Sequence, residues 1–145
     1  MVRQVKITTF VHATEDRSKV LKAIQNIFPR EIELPPYTET NLEGYYSDPI
    51  VLLSFLVKNR KSATEVFNNL IKNLSSLDYV TLLDELLQRM DDTKNLYLRF
   101  DKQKAFLGKL VLEHHDSIRV KISLLLPHKV DPVLMLREYM EEIRG

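Results

Sequence analysis

The sequence predicts an α+β fold: one domain built on a mainly antiparallel sheet with helices packed on one face. Three observations predict it. β-Branched, alternating runs stand at both ends of the chain, apolar residues recur at helical spacing in the middle, and a short His-His-Asp linker between two late β-type runs reads as a hairpin. A chain of 145 residues is long enough for a single hydrophobic core and too short to suggest two.

Residues 3–12 alternate Val5, Ile7, Thr9 and Val11 against Lys6, Thr8, Phe10 and His12, the period of a strand. Thr14 then stands as an N-cap before a helix whose Val20, Leu21, Ile24, Ile27 and Phe28 share a face until Pro29 ends it. The segment 30–46 holds two adjacent prolines and a glycine, so an irregular or edge-strand piece is expected. The run 50–57, IVLLSFLV, reads as a buried strand, and Ser62 with Glu65 forms a capping-box pair for a helix to Leu74. Ser75 or Ser76 would cap a further helix carrying Leu77, Val80, Leu83, Leu86, Leu87 and Met90. Three β-type runs follow, NLYLRF, KAFLGKLVLE and SIRVKISLLL, and Asp131-Pro132 opens a final helix as N-cap and first-turn proline.

Composition excludes more than it selects. A formal charge of +1 carries neither the strongly basic balance of an all-over nucleic-acid binder nor an acidic tail. The lack of cysteine removes disulfides, thiolate nucleophiles and cysteine-ligated metal centres, and fits a reducing interior. The longest apolar run falls short of the roughly 20 residues that span a bilayer, and the first residues lack the continuous apolar core of a signal peptide. A soluble cytoplasmic protein with no membrane association is the expectation.

Within this balance the charge is uneven. Residues 96–122 hold six bases against three acids, whereas residues 61–93 hold three bases against six acids. Alternation turns the first excess into a surface, because choosing the inward set of a strand also chooses the outward set. With Leu96, Leu98 and Phe100 inward, Tyr97 and Arg99 point out. With Gly108, Leu110 and Leu112 inward, Leu107, Lys109 and Val111 point out; on the last strand Arg119 and Lys121 do so, and on the first Lys6 and Thr8. Lys102 and Lys104 belong to the turn that Asp101 initiates. Lys6, Tyr97, Arg99, Lys102, Lys104, Lys109, Arg119 and Lys121 thus form a candidate RNA-contacting track, with bases for phosphates and a tyrosine to stack or pack on a sugar. The competing reading is solvated charge that guards a half-open sheet against aggregation.

Other constellations read structurally. Glu15 and Asp16 fall in the first turn behind Thr14, where the helix dipole stabilises each by roughly 0.3–1 kcal/mol, and the same acids make the spot a poor anion site. His114 and His115 are adjacent in a β-type context and point opposite ways, so they do not form a metal pair. With three glycines in all, no phosphate-binding glycine loop exists, and no nucleophile-elbow or HExxH pattern occurs. Neither a catalytic residue nor a metal or cofactor site is expected.

HATED at 12–16 followed by RSKVLKAIQNIFP, EGYYSDPIVLL at 43–53 and RFDKQKAFLGKL at 99–110, in this order and spacing, resemble a small archaeal family described as RNA-binding proteins and predicted exosome subunits. The likeness covers roughly residues 3–125 and leaves the final helix outside. Ser47 and Asp48 depart from the glycine and asparagine of the family pattern. The resemblance implies a fold similar to the ribosomal protein of the L-five type, also described as like the double-stranded-RNA-binding domain, and non-catalytic RNA binding alongside the exosome or other RNA-processing machinery. The rival expectation is a protein–protein adaptor or homodimer without direct RNA contact, docking through the acidic LLDELLQRMDD segment or exposed Phe10, Leu107 and Val111. A hydrolase using His12 and Glu15 is the third.

Overall fold

The computed structural model describes residues 1–43 and 48–145. The elements run β1 (Val2–His12), α1 (Arg17–Ile27), β2 (Tyr37–Glu43), β3 (Pro49–Val57), α2 (Arg60–Asn73), α3 (Ser76–Asp84), α4 (Leu86–Arg89), β4 (Asn95–Asp101), α5 (Lys102–Phe106), β5 (Ser117–Leu124) and α6 (Pro132–Arg144). The strands form one sheet in the order β2-β3-β1-β5-β4, every neighbouring pair antiparallel. This is the expected α+β architecture.

β1 sits at the centre because its inward set, Val5, Ile7, Thr9 and Val11, is buried almost completely. Leu53, Phe55 and Val57 of β3, Ile118, Val120 and Ile122 of β5 and Leu96, Leu98 and Phe100 of β4 continue the same layer. Against it pack Val20, Ala23, Ile24 and Ile27 of α1, Val66, Phe67, Leu70 and Ile71 of α2, and Leu136 and Met140 of α6. Each large apolar side chain taken fully out of water contributes roughly 1.5–3 kcal/mol. α6 is tied down at its end, where the Arg144 guanidinium donates to the carbonyls of Ile71 and Leu74 at 2.8 and 2.9 Å and satisfies the last turn of α2.

Helix starts differ from the sequence reading by one to three residues. Asp16 rather than Thr14 caps α1, its carboxylate accepting from the Ser18 amide and hydroxyl, and Asn59 rather than Ser62 caps α2 by accepting from the Ser62 amide. In both cases the winning side chain places its oxygen two or three residues before the free amide. Ser75 and Asp131 cap α3 and α6 as expected. The segment expected as one helix to Met90 is two, α3 and α4, joined at Glu85. The proline-containing segment ends in β2, a paired edge strand. Ser47, one of the two positions that depart from the pattern the sequence resembles, lies outside the described residues.

The main correction concerns KAFLGKLVLE, which is not a strand. Asp101 accepts from the Lys104 amide at 2.7 Å, and the good helix formers that follow make the single turn of α5. Gly108 ends it with φ 84°, its amide donating to the Ala105 carbonyl while the Lys109 amide donates to that of Lys104, both at 2.9 Å. This double bond is a Schellman cap, and the left-handed residue it needs is the glycine. Leu112 makes only an isolated bridge to Phe100, and β4 pairs directly with β5. The glycine that suggested a bulge is therefore a helix terminator.

A methyl group at residue 108 would meet nothing within 4 Å, so Gly108→Ala carries only the backbone cost of a positive φ. Urea unfolding should show a loss of about 1–2 kcal/mol, and an unchanged midpoint would remove the cap from the account of this turn.

Candidate nucleic-acid interface

The face of the sheet that no helix covers takes its chemistry from register. Lys6 on β1 is paired with Lys121 on β5, which in turn is paired with Tyr97 on β4. Two residues along, Thr8 is paired with Arg119, and Arg119 with Arg99. These side chains line one shallow depression of about 370 Å³. Of the candidate residues, Lys6, Tyr97, Arg99, Arg119 and Lys121 are brought together as alternation implied.

Two like-charge pairs thus stand directly across strands in consecutive rows, an arrangement that costs stability where neighbours of opposite charge would contribute about 0.2–1 kcal/mol each. Among the described residues no carboxylate forms an ion pair with Lys6, Arg99, Arg119 or Lys121. What holds them is weaker. The Arg119 guanidinium lies 5.4 Å from the centre of the Phe10 ring, and Arg99 donates to the His114 carbonyl at 3.3 Å. The face is basic only on its β1-β5-β4 side; toward β3 and β2 it carries Ser54, Leu52, Leu56, Thr38 and Thr40 at the matching positions.

Tyr97 is 41% exposed at the rim, and its hydroxyl donates to Asp91 at 2.8 Å. That bond is the main reason the phenol is held above its ordinary pKa, with burial and the Asp91 charge adding to it. Burial alone would raise Asp91, but hydrogen bonds from the Asn95 side chain, Tyr97, the Asn95 amide and Thr93 outweigh it and hold the carboxyl far below the usual range. Asp91 stays ionised, and the tyrosine stays a protonated ring set at a fixed angle beside the bases.

The remaining candidates are elsewhere. Lys102 is 9% exposed and does not face solvent. Its ammonium lies 3.0 and 3.2 Å from the Glu15 carboxylate and 3.1 Å from Asp116, and donates to the Phe10 carbonyl at 2.8 Å. Lys104 is exposed on α5 and Lys109 in the loop after it, both on the helical side of the molecule rather than on the sheet. The row drawn through Lys109 assumed a strand that does not form.

His12, Glu15 and Asp116 offer ligand-type atoms within 4.8 Å of one another, two residues from the first and one from the second of the clusters the sequence had kept apart. His12 Nε2 is 3.1 Å from Asp116, and the His12 amide donates to Glu15. The Lys102 ammonium stands among the same oxygens, so this cluster has its own fixed cation. Its donors are all engaged, which leaves no lysine free for acid–base work there. The cluster locks the end of β1, the turn into α1 and the start of β5 to one another. Sequence reasoning missed it because nothing in local periodicity marks Lys102 as the buried one of three neighbouring polar residues.

Burial works against the charge on Asp116, yet hydrogen bonds from His12 and Lys102, with their charges, hold its carboxyl below the ordinary 3.8. A folded pKa depressed in this way gives stability that is complete above the unfolded value and is lost as pH falls through the folded one. The stability difference between wild type and Asp116→Asn should therefore be largest above about pH 5 and shrink toward zero near pH 2. A difference that grew in acid would overturn the assignment. Lys102→Met should lower unfolding free energy by about 1.5–3 kcal/mol, the range for hydrogen bonds to charged groups.

The chain is similar to known proteins along most of its length. Residues 4–124 match a family model described as RNA binding. RNA-binding protein PAB1135 of Pyrococcus abyssi is 38% identical over 143 residues, covering 94% of this chain and 92% of its own length. An uncharacterised protein of Methanocaldococcus jannaschii, MJ0213, is 36% identical over 124 residues, covering 82% of both. The crystal structure of protein AF2318 from Archaeoglobus fulgidus, assigned to the family model DUF54, superposes with a TM-score of 0.81 at 30% identity over 95% of this chain and 99% of that one.

Proposed function

The chain belongs to this RNA-binding family, and from that premise we propose that it is a non-catalytic RNA-binding protein whose open sheet face takes the RNA. The observation that carries the reading is the pair of unneutralised like-charge rows, Lys6 with Lys121 and Arg99 with Arg119. An anion laid along them relieves their mutual repulsion, and a polyanion relieves both rows at once. Tyr97 at the rim supplies a ring for a base or a sugar. The solvated-surface alternative accounts for bases on an exposed sheet but not for their alignment opposite one another without interleaved acids.

The finer reading takes action beside the exosome or other RNA-processing machinery, and a fold of the ribosomal L-five type, from the resemblance, and a cytoplasmic location from the cysteine-free composition and the short apolar runs of the sequence. An adaptor or homodimer role has support in the exposed Leu77, Val80 and Leu87 of α3 and α4 and in Leu107, and in the less charged half of the open sheet face, Leu42, Ile50, Leu52 and Leu56. No helix of the structure is long and apolar enough to cross a membrane.

Four phosphate contacts to single-stranded RNA give a slope of log affinity against log salt of about −3, at about 0.7 per contact. Fluorescence anisotropy should return a slope of this size from the sheet face, and Arg99→Gln with Arg119→Gln should make it shallower by about 1.4 while weakening all sequences alike. RNA binding by wild type with no change in the double variant would remove the sheet face from the function.

A further inference from the structure

On the helical side, α1, the following turn, the C-terminal end of α2 and the Gly108 loop surround a cleft of about 1180 Å³. Its charged lining is Lys22, Arg30 and Lys109, and no carboxylate lines it. None of the three bases forms an ion pair among the described residues. Between them stand the amides of Gln25, Asn26 and Asn73. The walls are rigid: Asn26 donates to the carbonyls of Ala105 and Phe106, fastening α1 to α5, and Asn69 donates to the Ile27 carbonyl, fastening α2 to α1. The Lys22 ammonium also lies 5.4 Å from the centre of the half-buried Phe106 ring, which lines a neighbouring pocket.

We infer that this cleft is a second RNA site, holding a short single-stranded segment with its phosphates on Lys22, Arg30 and Lys109 and its bases against the side-chain amides. Three observations fix the class of ligand. An acid-free lining with three separated cations suits several negative charges spaced along a chain rather than one compact anion. The volume of about 1180 Å³ is above the roughly 300–1,000 Å³ of pockets for small ligands. Gln25 offers a base edge or a ribose both donor and acceptor, and Asn26 and Asn73, whose amide nitrogens are bonded to Ala105, Phe106 and Asn69, offer their side-chain oxygens as acceptors. The cleft lies beyond the helix layer from the open sheet face, so one strand reaches both only by passing around the molecule.

The inference rests on the RNA-binding reading, and the test separates the two. Anisotropy with a labelled single-stranded RNA of about 20 nucleotides is compared for wild type, Lys22→Gln/Lys109→Gln, Arg99→Gln/Arg119→Gln and the fourfold variant, all four target residues being exposed. Loss of two phosphate contacts lowers the salt slope by about 1.4, which is about a 25-fold loss of affinity at 0.1 M relative to 1 M salt. The expected result is that loss in the cleft variant with an unchanged thermal midpoint, a further loss in the fourfold variant, and protection of Lys22 and Lys109 from acetylation when RNA is bound. Full affinity in the cleft variant, alongside weakened binding in the sheet variant, overturns the second site and leaves the sheet reading intact. Loss in the cleft variant alone supports the cleft and overturns the sheet face. No RNA binding by wild type at 0.05 M salt overturns both.

Discussion

The structure depends on β1 being hydrogen-bonded along both edges, to β3 on one side and β5 on the other. A strand so placed has no freedom of register, because a one-residue slip would move Val5, Ile7 and Val11 out of the core and Lys6 into it. The same constraint fixes the solvent face. Once Val5 and Ile7 are inward, Lys6 must lie outward beside Lys121, and Thr8 beside Arg119. The alignment of bases that distinguishes the open face is thus set by the packing of the opposite face.

Lys102 protects this register at its weakest place. β1 leaves the sheet at His12, where the chain turns into α1, and β5 enters next to it after the loop of residues 107–116. A single ammonium bonded to the Phe10 carbonyl, Glu15 and Asp116 holds all three segments together. Charged groups in such a cluster are costly to desolvate and costly to separate once paired, so the cluster resists opening more than it adds to net stability. One of the bases that gave the RFDKQKAFLGKL stretch its positive character is in this way a structural residue.

Much of the fold was legible because its signals are periodic. Val5, Ile7, Thr9 and Val11 on β1, and Ile118, Val120 and Ile122 on β5, are buried as their alternation implied, and Tyr97, Arg99, Arg119 and Lys121 are outward for the same reason. The reading failed at KAFLGKLVLE, where the apolar residues fit a strand but Asp101 and Gly108 bracket one helical turn. A cap and a terminator seven residues apart decide so short a segment more strongly than alternation does. That error carried Lys109 to the wrong side of the molecule. The helical-side cleft was illegible for another reason: Lys109 is remote in sequence from Lys22 and Arg30, and only the docking of α5 on α1 gives them a common cavity.

The near-neutral composition hides these surfaces because acids and bases are used differently. Asp16, Asp101 and Asp131 accept backbone amides at the starts of α1, α5 and α6, where the helix dipole compensates a negative charge. Asp91 closes the turn before β4, Asp78 accepts from the Leu112 amide, and Glu15 and Asp116 share Lys102. These carboxylates sit at the ends of elements and in turns, committed to amides or to a fixed cation. Lys6, Arg99, Arg119 and Lys121, and on the other side Lys22, Arg30 and Lys109, form no ion pair among the described residues. A charge balance of +1 is then compatible with two faces that each attract a polyanion, because the balance counts charges while binding depends on which of them remain unneutralised where a ligand can reach.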